Sequence, residues 1–351
     1  MSREVAGSGG DGAPNVSWLR GRWANSSGQY SIYLILVAMV VISSFLSPAF
    51  LSVSNFANIS RQISITTILA FGQTILIIGG MLDLSCGSVM ALSGLLAVLV
   101  FKATGIGLVA LCAGIATGVL ANSINGLMVT MFRLPPFIAT LAMLTSARGA
   151  ALLLTSGQPV YQLGTFKVWG QGAVFGIPTP LLFVVGILAV TWYILNHTRL
   201  GRYIYAIGGN QEAARASGIA VNRVKVIAYL INGAFVGIAG VLYMSRVNAG
   251  LPDAGQGFEL DALTSSIIGG VSFSGGIGTA VRTLAGAFIV GFLGNIMNLL
   301  GIQSYVQQLI RGAIIALAVA YDIASKSRGT RKILGGASVG EAKRNDAKRA
   351  N

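Results

Sequence analysis

Few residues in this sequence combine the type and the spacing needed for chemistry, and most of those are neutral amides and hydroxyls. The single histidine, His197, and the two cysteines, Cys86 and Cys112, form no C-x-x-C pair and no multi-histidine set, so neither a zinc site nor a disulfide framework is supported. No Gly-Lys dipeptide occurs, hence no G-x-x-x-x-G-K-[ST] phosphate loop, and any ATP hydrolysis must be done by a partner. Gly7-Ser-Gly9-Gly-Asp-Gly12 matches G-x-G-x-x-G formally, but no strand precedes it and no helix follows it, so the match is accidental.

What remains is a set of polar residues inside long apolar runs. In Gly79-Gly-Met-Leu-Asp83-Leu-Ser85-Cys-Gly87-Ser88 the glycines break one helix, and Asp83 or Ser85 can cap the amides that open the next. Gly118-Val-Leu-Ala-Asn122-Ser-Ile-Asn125 resembles Gly291-Phe-Leu-Gly-Asn295-Ile-Met-Asn298, 173 positions further on. Each Asn pair is spaced i, i+3 and shares a helix face, where an amide facing lipid costs roughly 2–7 kcal/mol. Both pairs are therefore expected to face the interior, as bonds between helices or as lining of a solute pathway. Asp83, Ser85, Asn122, Asn125, Asn295 and Asn298 are the candidate pathway residues. Such a lining suits a neutral polyhydroxylated solute, whose hydroxyls exchange water for amides with no charge to neutralise.

These residues have to be held by elements that live in lipid. The 351 residues are 54% hydrophobic and only 10% charged, with a mean hydropathy of +0.75, which a soluble domain cannot carry without large exposed apolar patches. Uncharged runs extend from Trp23 to Ser60, Gln62 to Leu82, Ala103 to Phe132 and Val226 to Ser245. A helical crossing needs about 20 apolar residues, and these runs do not alternate as barrel strands would. An all-α bundle of about ten spans follows, near 30–48, 57–80, 87–103, 106–131, 137–155, 178–196, 224–245, 260–274, 280–301 and 304–322. Glycine pairs at Gly79-Gly80 and Gly269-Gly270 mark a kink or a discontinuous helix. Gly114-Ile-Ala-Thr-Gly118 and Gly233-Ala-Phe-Val-Gly237 mark close helix approaches. With ten crossings the two Gly/Asn motifs run in opposite directions, the inverted pseudo-symmetric halves that many transporters share.

The formal charge of +14 belongs to the flanks of the spans. Sixteen of the 24 basic residues lie in three segments: before the first apolar run, from Arg199 to Lys225, and beyond Ile323. The positive-inside rule puts all three, and so both termini, in the cytoplasm. Without aromatic interleaving this basicity does not indicate nucleic-acid binding. Residues 1–28 are expected to be a disordered cytoplasmic tail and not a signal peptide, 29–323 the transmembrane domain, and 324–351 a basic cytoplasmic tail.

The basic loop contains its own element. Asn210 is a good N-cap, Glu212 complements the dipole of the first turn, Ala213, Ala214 and Ala216 favour helix, and Gly218 is a natural stop. A short helix with a small-residue face suits docking on another protein.

Together these segments resemble the permeases of bacterial ABC importers for ribose, galactose, arabinose, xylose and related monosaccharides. The resemblance runs from Gly79-Gly80 through Asp83-Leu-Ser85 to Gly87-Ser88, then Pro135-Pro-Phe-Ile-Ala-Thr-Leu, Arg148-Gly149 and Thr155-Ser-Gly-Gln-Pro159. It continues through Gly201-Arg, Gly208-Gly-Asn210, Ala213-Ala-Arg, Ser217-Gly-Ile, Gly257-Phe-Glu259-Leu-Asp261-Ala, Ile268-Gly-Gly270, Ser274-Gly-Gly276 and Gly312 to Asp322. Each motif is weak alone; in one order over most of the chain they are specific. Cys86 and Arg282 depart from the pattern, standing where an aliphatic and a small residue are usual. The resemblance implies a homodimeric, multi-pass permease of the bacterial inner membrane, embedded in lipid, that is not itself an enzyme. It implies a tandem-cassette ATPase that carries ATP and Mg on the cytoplasmic side, a periplasmic sugar-binding protein outside, and no cofactor on this chain. It also implies that Gly209, Asn210, Glu212, Ala213, Ala214, Arg215, Ser217 and Gly218 form the ATPase-coupling loop. The competing reading is an ion-coupled secondary transporter of a small polar solute, against which stands the lack of an acidic relay.

Overall fold

The computed structural model describes residues 17–320 and 322. It is mostly helical. Helices α1 (Ser17–Leu46), α2 (Val53–Ile78), α3 (Cys86–Thr104), α4 (Gly107–Thr130) and α5 (Pro136–Leu154) come first. A connection follows that holds strand β1 (Val160–Tyr161), a 3-10 turn (Gly164–Lys167), the short α6 (Val168–Gln171), and strands β2 (Ala173–Val174) and β3 (Ile177–Pro178). Then come α7 (Thr179–His197), α8 (Arg199–Gly209), α9 (Gln211–Ala216), α10 (Val221–Val247), β4 (Ala249–Gly250), α11 (Phe258–Ile268), α12 (Ala280–Leu299) and α13 (Ser304–Ala320). The strands form two small antiparallel pairs, β1 with β4 and β2 with β3.

Seven helices, α2, α3, α4, α5, α7, α10 and α12, are long and apolar enough to cross a membrane. The other three expected crossings are shorter: the apolar part of α1 is Ile32–Leu46, α13 is Ser304–Ala320, and α11 has 11 residues. At about 1.5 Å per residue α11 spans roughly half of a 30 Å hydrocarbon core. The helix α1 begins at Ser17, inside the segment 1–28; residues 1–16 and the 324–351 segment lie outside the described residues.

The two helices at the centre are α2 and α10, which pack on each other. On either side of them the packing is reciprocal: α10 carries α3 and α4, and α2 carries α11 and α12. The α4–α10 crossing is made by the two small-residue motifs meeting each other. A Cβ on Gly118 would overlap the carbonyl oxygen of Gly233, and one on Gly237 would press on Gly114 and Ile115, so only glycine lets these backbones touch.

The glycine pairs end helices and do not kink them. Gly80 and Gly270 have φ of +71° and +81°. The N–H of Met81 returns to the carbonyl of Leu76, and that of Val271 to Ser266, so both α2 and α11 close with the same Schellman turn.

Candidate functional site

The Schellman turn releases residues 81–85 from helix in the middle of the protein, and a polar cluster satisfies them. The Asp83 carboxylate accepts from the backbone N–H of Ser85 at 2.7 Å and from the Ser85 hydroxyl through one oxygen, and from the Asn232 amide of α10 at 2.8 Å through the other. The same Asn232 nitrogen donates to Oδ1 of Asn122 at 2.9 Å, and Nδ2 of Asn125 donates to the Ser85 hydroxyl at 3.0 Å. The Gln73 side chain of α2 brackets the backbone of Asp83, donating to its carbonyl and accepting from its N–H at 3.3 Å, while Tyr229 donates to the carbonyl of Leu82. All of these side chains are buried. An Asp buried in this way is affordable only because both oxygens are hydrogen-bonded. Two acceptors in the cluster, Oδ1 of Asn125 and Oδ1 of Asn232, meet no protein donor.

Four of the six candidate pathway residues, Asp83, Ser85, Asn122 and Asn125, thus come together. Asn295 and Asn298 do not join them. Asn295 exchanges two amide hydrogen bonds with Asn55 of α2, at 2.9 and 3.1 Å, and Asn298 accepts from Gln307 of α13 at 2.9 Å. Asn232, Gln73 and Tyr229 are the members that the sequence reading did not single out. The available signal was an amide inside an uncharged run, and Asn232 directly precedes the Gly233–Gly237 motif.

At the basic loop, α9 is built as its residues dictate. Asn210 caps it by accepting from the N–H of Ala213 at 3.0 Å, Glu212 pairs with Arg215 at 3.3 Å, Ser217 donates to the carbonyl of Ala213, and Gly218 ends it at φ +81°. Ala214 is buried, whereas Gly209, Asn210, Glu212, Ala213, Arg215, Ser217 and Gly218 are exposed. The preceding α8 fastens this helix to the break. The N–H of Gly276 donates to the carbonyl of Ile78, the last residue of α2, at 2.9 Å, and Gly208 lies so close that a Cβ there would overlap that oxygen. Tyr205 donates to the carbonyl of Gly278 at 2.6 Å, and burial pushes its phenol above the usual range. On the other side Lys225 of α10 donates to Gln211 at 2.6 Å. A cleft of about 900 Å³ between α9 and the α4–α5 connection is lined by Arg133, Arg215, Arg223 and Lys225 among others.

The remaining charged residues near the spans have separate partners. Arg148 donates to the carbonyl of Pro252 at 2.8 Å, Asp261 pairs with Arg311 of α13 at 3.1 Å, and Glu259 accepts from the N–H of Gly257 at 3.1 Å. His197 ends α7 against Trp192 and Tyr193, with ring centroids 4.6 and 5.9 Å away. Arg282 lies in the first turn of α12, its N–H capped by Thr279.

Residues 55–319 match the family model described as "Branched-chain amino acid transport system / permease component". Over 299 residues the chain is 41% identical to the ribose import permease protein RbsC of Escherichia coli (strain K12), covering 84% of this chain and 93% of that protein. It is 41% identical over 293 residues to the ribose import permease protein RbsC of Bacillus subtilis (strain 168), covering 83% and 91%. It is 37% identical over 297 residues to the D-allose transport system permease protein AlsC of Escherichia coli (strain K12), covering 84% and 91%. No solved structure matches the chain.

Proposed function

This chain belongs to the permease subunits of monosaccharide ABC importers, and from that premise we propose how it works and what it carries. Its function is that of a multi-pass membrane permease in an ATP-driven importer, and the ATPase is a separate subunit. An ion-coupled secondary transporter is set aside on the same membership. The cargo is a neutral monosaccharide or polyol. The observation that carries this reading is the near-full-length likeness to permeases named for ribose and allose, and the neutral amide and hydroxyl chemistry beside Asp83 agrees with it.

The partners are a cytoplasmic tandem-cassette ATPase that holds ATP and Mg, a periplasmic sugar-binding protein, a second copy of this chain, and membrane lipid. The chain binds no cofactor of its own. It sits in the bacterial inner membrane with both termini in the cytoplasm, as the placement of its basic residues supports. Residues 29–323 form the transmembrane domain with ten spans, between the tails 1–28 and 324–351.

The spans divide into inverted halves, α2–α5 and α10–α13. Five helices of spanning length, α2, α3, α4, α5 and α7, separate the start of α2 from that of α10, so the two enter from opposite sides. The 173-residue offset of the Gly/Asn motifs carries each helix of the first half onto one of the second. The reciprocal packing supports the same division, since Asn122 of α4 bonds to Asn232 of α10 and Asn295 of α12 bonds to Asn55 of α2.

Gly209 to Gly218 receive the motion of the ATPase, and the Gly208–Ile78–Gly276 junction passes it to the α2–α3 break. There Asp83, Ser85, Asn122 and Asn125 form a lock that is closed in this conformation. Its two amide oxygens without a protein donor can accept from a solute hydroxyl or from water. Asn295 and Asn298 would line the opposite half of the same path. Mild-detergent purification of the tagged chain with mass spectrometry of its companions tests the assembly: a two-cassette ATPase and a sugar-binding protein are expected, and an ion-coupled transporter would come alone.

A further inference from the structure

A second polar site lies between α11 and α13, beside the start of α3, where the Glu259 carboxylate rests against Gly87. The Asp261–Arg311 pair, 3.1 Å apart, holds the two helices together, with Arg311 still 36% and Asp261 16% exposed. Arg311 stands near the middle of α13 (Ser304–Ala320), an apolar helix. A half-exposed guanidinium at that depth cannot face hydrocarbon without a large cost, so this face meets protein or water. It is also concave. A cleft of about 350 Å³ opens beside the pair, lined by Gln256, Glu259, Asp261, Gln308 and Arg311. Gln256 and Gln308 are exposed, and the other three are half-buried.

We propose that this cleft is a subsite that holds the sugar during passage, a proposal that rests on the importer reading above. The volume lies at the lower end of small-molecule sites. The chemistry fits a neutral polyol: two amides and two carboxylates accept from hydroxyls, and the amides and the guanidinium donate to them. Asp261 and Arg311 neutralise each other, so among the charged groups that line the cleft only the Glu259 carboxylate lacks an ion-pair partner there. The cleft is open on one side.

Two measurements test this. In a chain carrying Cys112→Ala, with Gln308→Cys introduced and the same chain without it as control, a charged, membrane-impermeant thiol reagent added outside is expected to label residue 308. A saturating mixture of pentoses and hexoses, delivered with the binding protein, is expected to block that labelling. Absence of labelling would place residue 308 against lipid or protein, and labelling that sugar does not affect would mean a wet cleft that holds no sugar; either result overturns the proposal. Second, the complex with Gln256→Ala and Gln308→Ala is expected to purify with its ATPase and to import sugar about tenfold more slowly. Unchanged uptake beside an active wild-type complex overturns the subsite alone. No ATP-dependent sugar uptake by the wild-type complex overturns the importer reading itself.

Discussion

The N–H of Gly276 donates to the carbonyl oxygen of Ile78 at 2.9 Å, joining the end of α2 to the loop that follows α11. Gly208, at the end of α8, is packed against that same oxygen. One backbone junction therefore connects the end of α2 and the loop after α11 with the end of α8 that leads into α9. Gly208 lies two residues before the cap of α9, so a short backbone path through this junction joins α9 to residues 81–85.

Gly208→Ala tests that route. The added methyl group overlaps the Ile78 carbonyl, so the junction must open or α8 must shift, at a cost of about 1–3 kcal/mol. The expected outcome is a purified, folded protein whose complex still hydrolyses ATP but imports little sugar. Wild-type uptake in the variant would remove the junction from the mechanism.

The exposed face of α9 can be altered without touching the core. Glu212→Ala breaks an exposed i, i+3 pair worth roughly 0–1 kcal/mol, and Ala213→Asp places a charge on a surface position. Both variants are expected to stay folded in the membrane and to lose the coupling of hydrolysis to uptake. Co-purification of the ATPase and uptake assays check this, and normal transport in both would rule the helix out as the contact.

At the break, Asp83→Ala leaves the Ser85 N–H and an Asn232 N–H without acceptors. Each buried orphan costs about 1–3 kcal/mol, so a lowered thermal midpoint in detergent is expected. Asn232→Ala should be destabilising as well. Because the two side chains share a 2.8 Å hydrogen bond, the double variant is expected to fall short of additivity by about 0.5–3 kcal/mol. Strict additivity would show that the bond does not contribute.

The α4–α10 contact makes the sharpest packing prediction. Gly118→Val or Gly233→Val forces a side chain into a place where two backbones touch. Loss of folded protein from the membrane is expected, whereas Gly149→Ala, with open space around its Cβ position, is expected to be tolerated.

Much of this architecture is legible in the sequence because lipid imposes it. The seven helices of spanning length follow from long apolar runs, and the two small-residue motifs, recognised singly as close approaches, turn out to meet each other. The cap of α9 at Asn210 and its stop at Gly218 are local chemistry and follow directly from residue type. The polar cluster was half legible. Asp83, Ser85, Asn122 and Asn125 stood out as polar groups near a helix break, but Asn232 and Gln73 are single amides in long apolar runs, and only tertiary packing brings them to Asp83. Nothing local separates Asn122 and Asn125 from Asn295 and Asn298, which have the same spacing and different neighbours. The eighth crossing, expected over 260–274, is cut short because Gly270 adopts a left-handed conformation. The Asp261–Arg311 pair depends on helices 50 positions apart and has no sequence signature.

The most direct test of the importer account is labelled-sugar uptake by proteoliposomes that contain this chain with its co-purified ATPase and binding protein. Uptake is predicted to stop when ATP is withdrawn and to continue when ionophores collapse the ion gradients. Uptake that survives without ATP and stops with the gradients would contradict it.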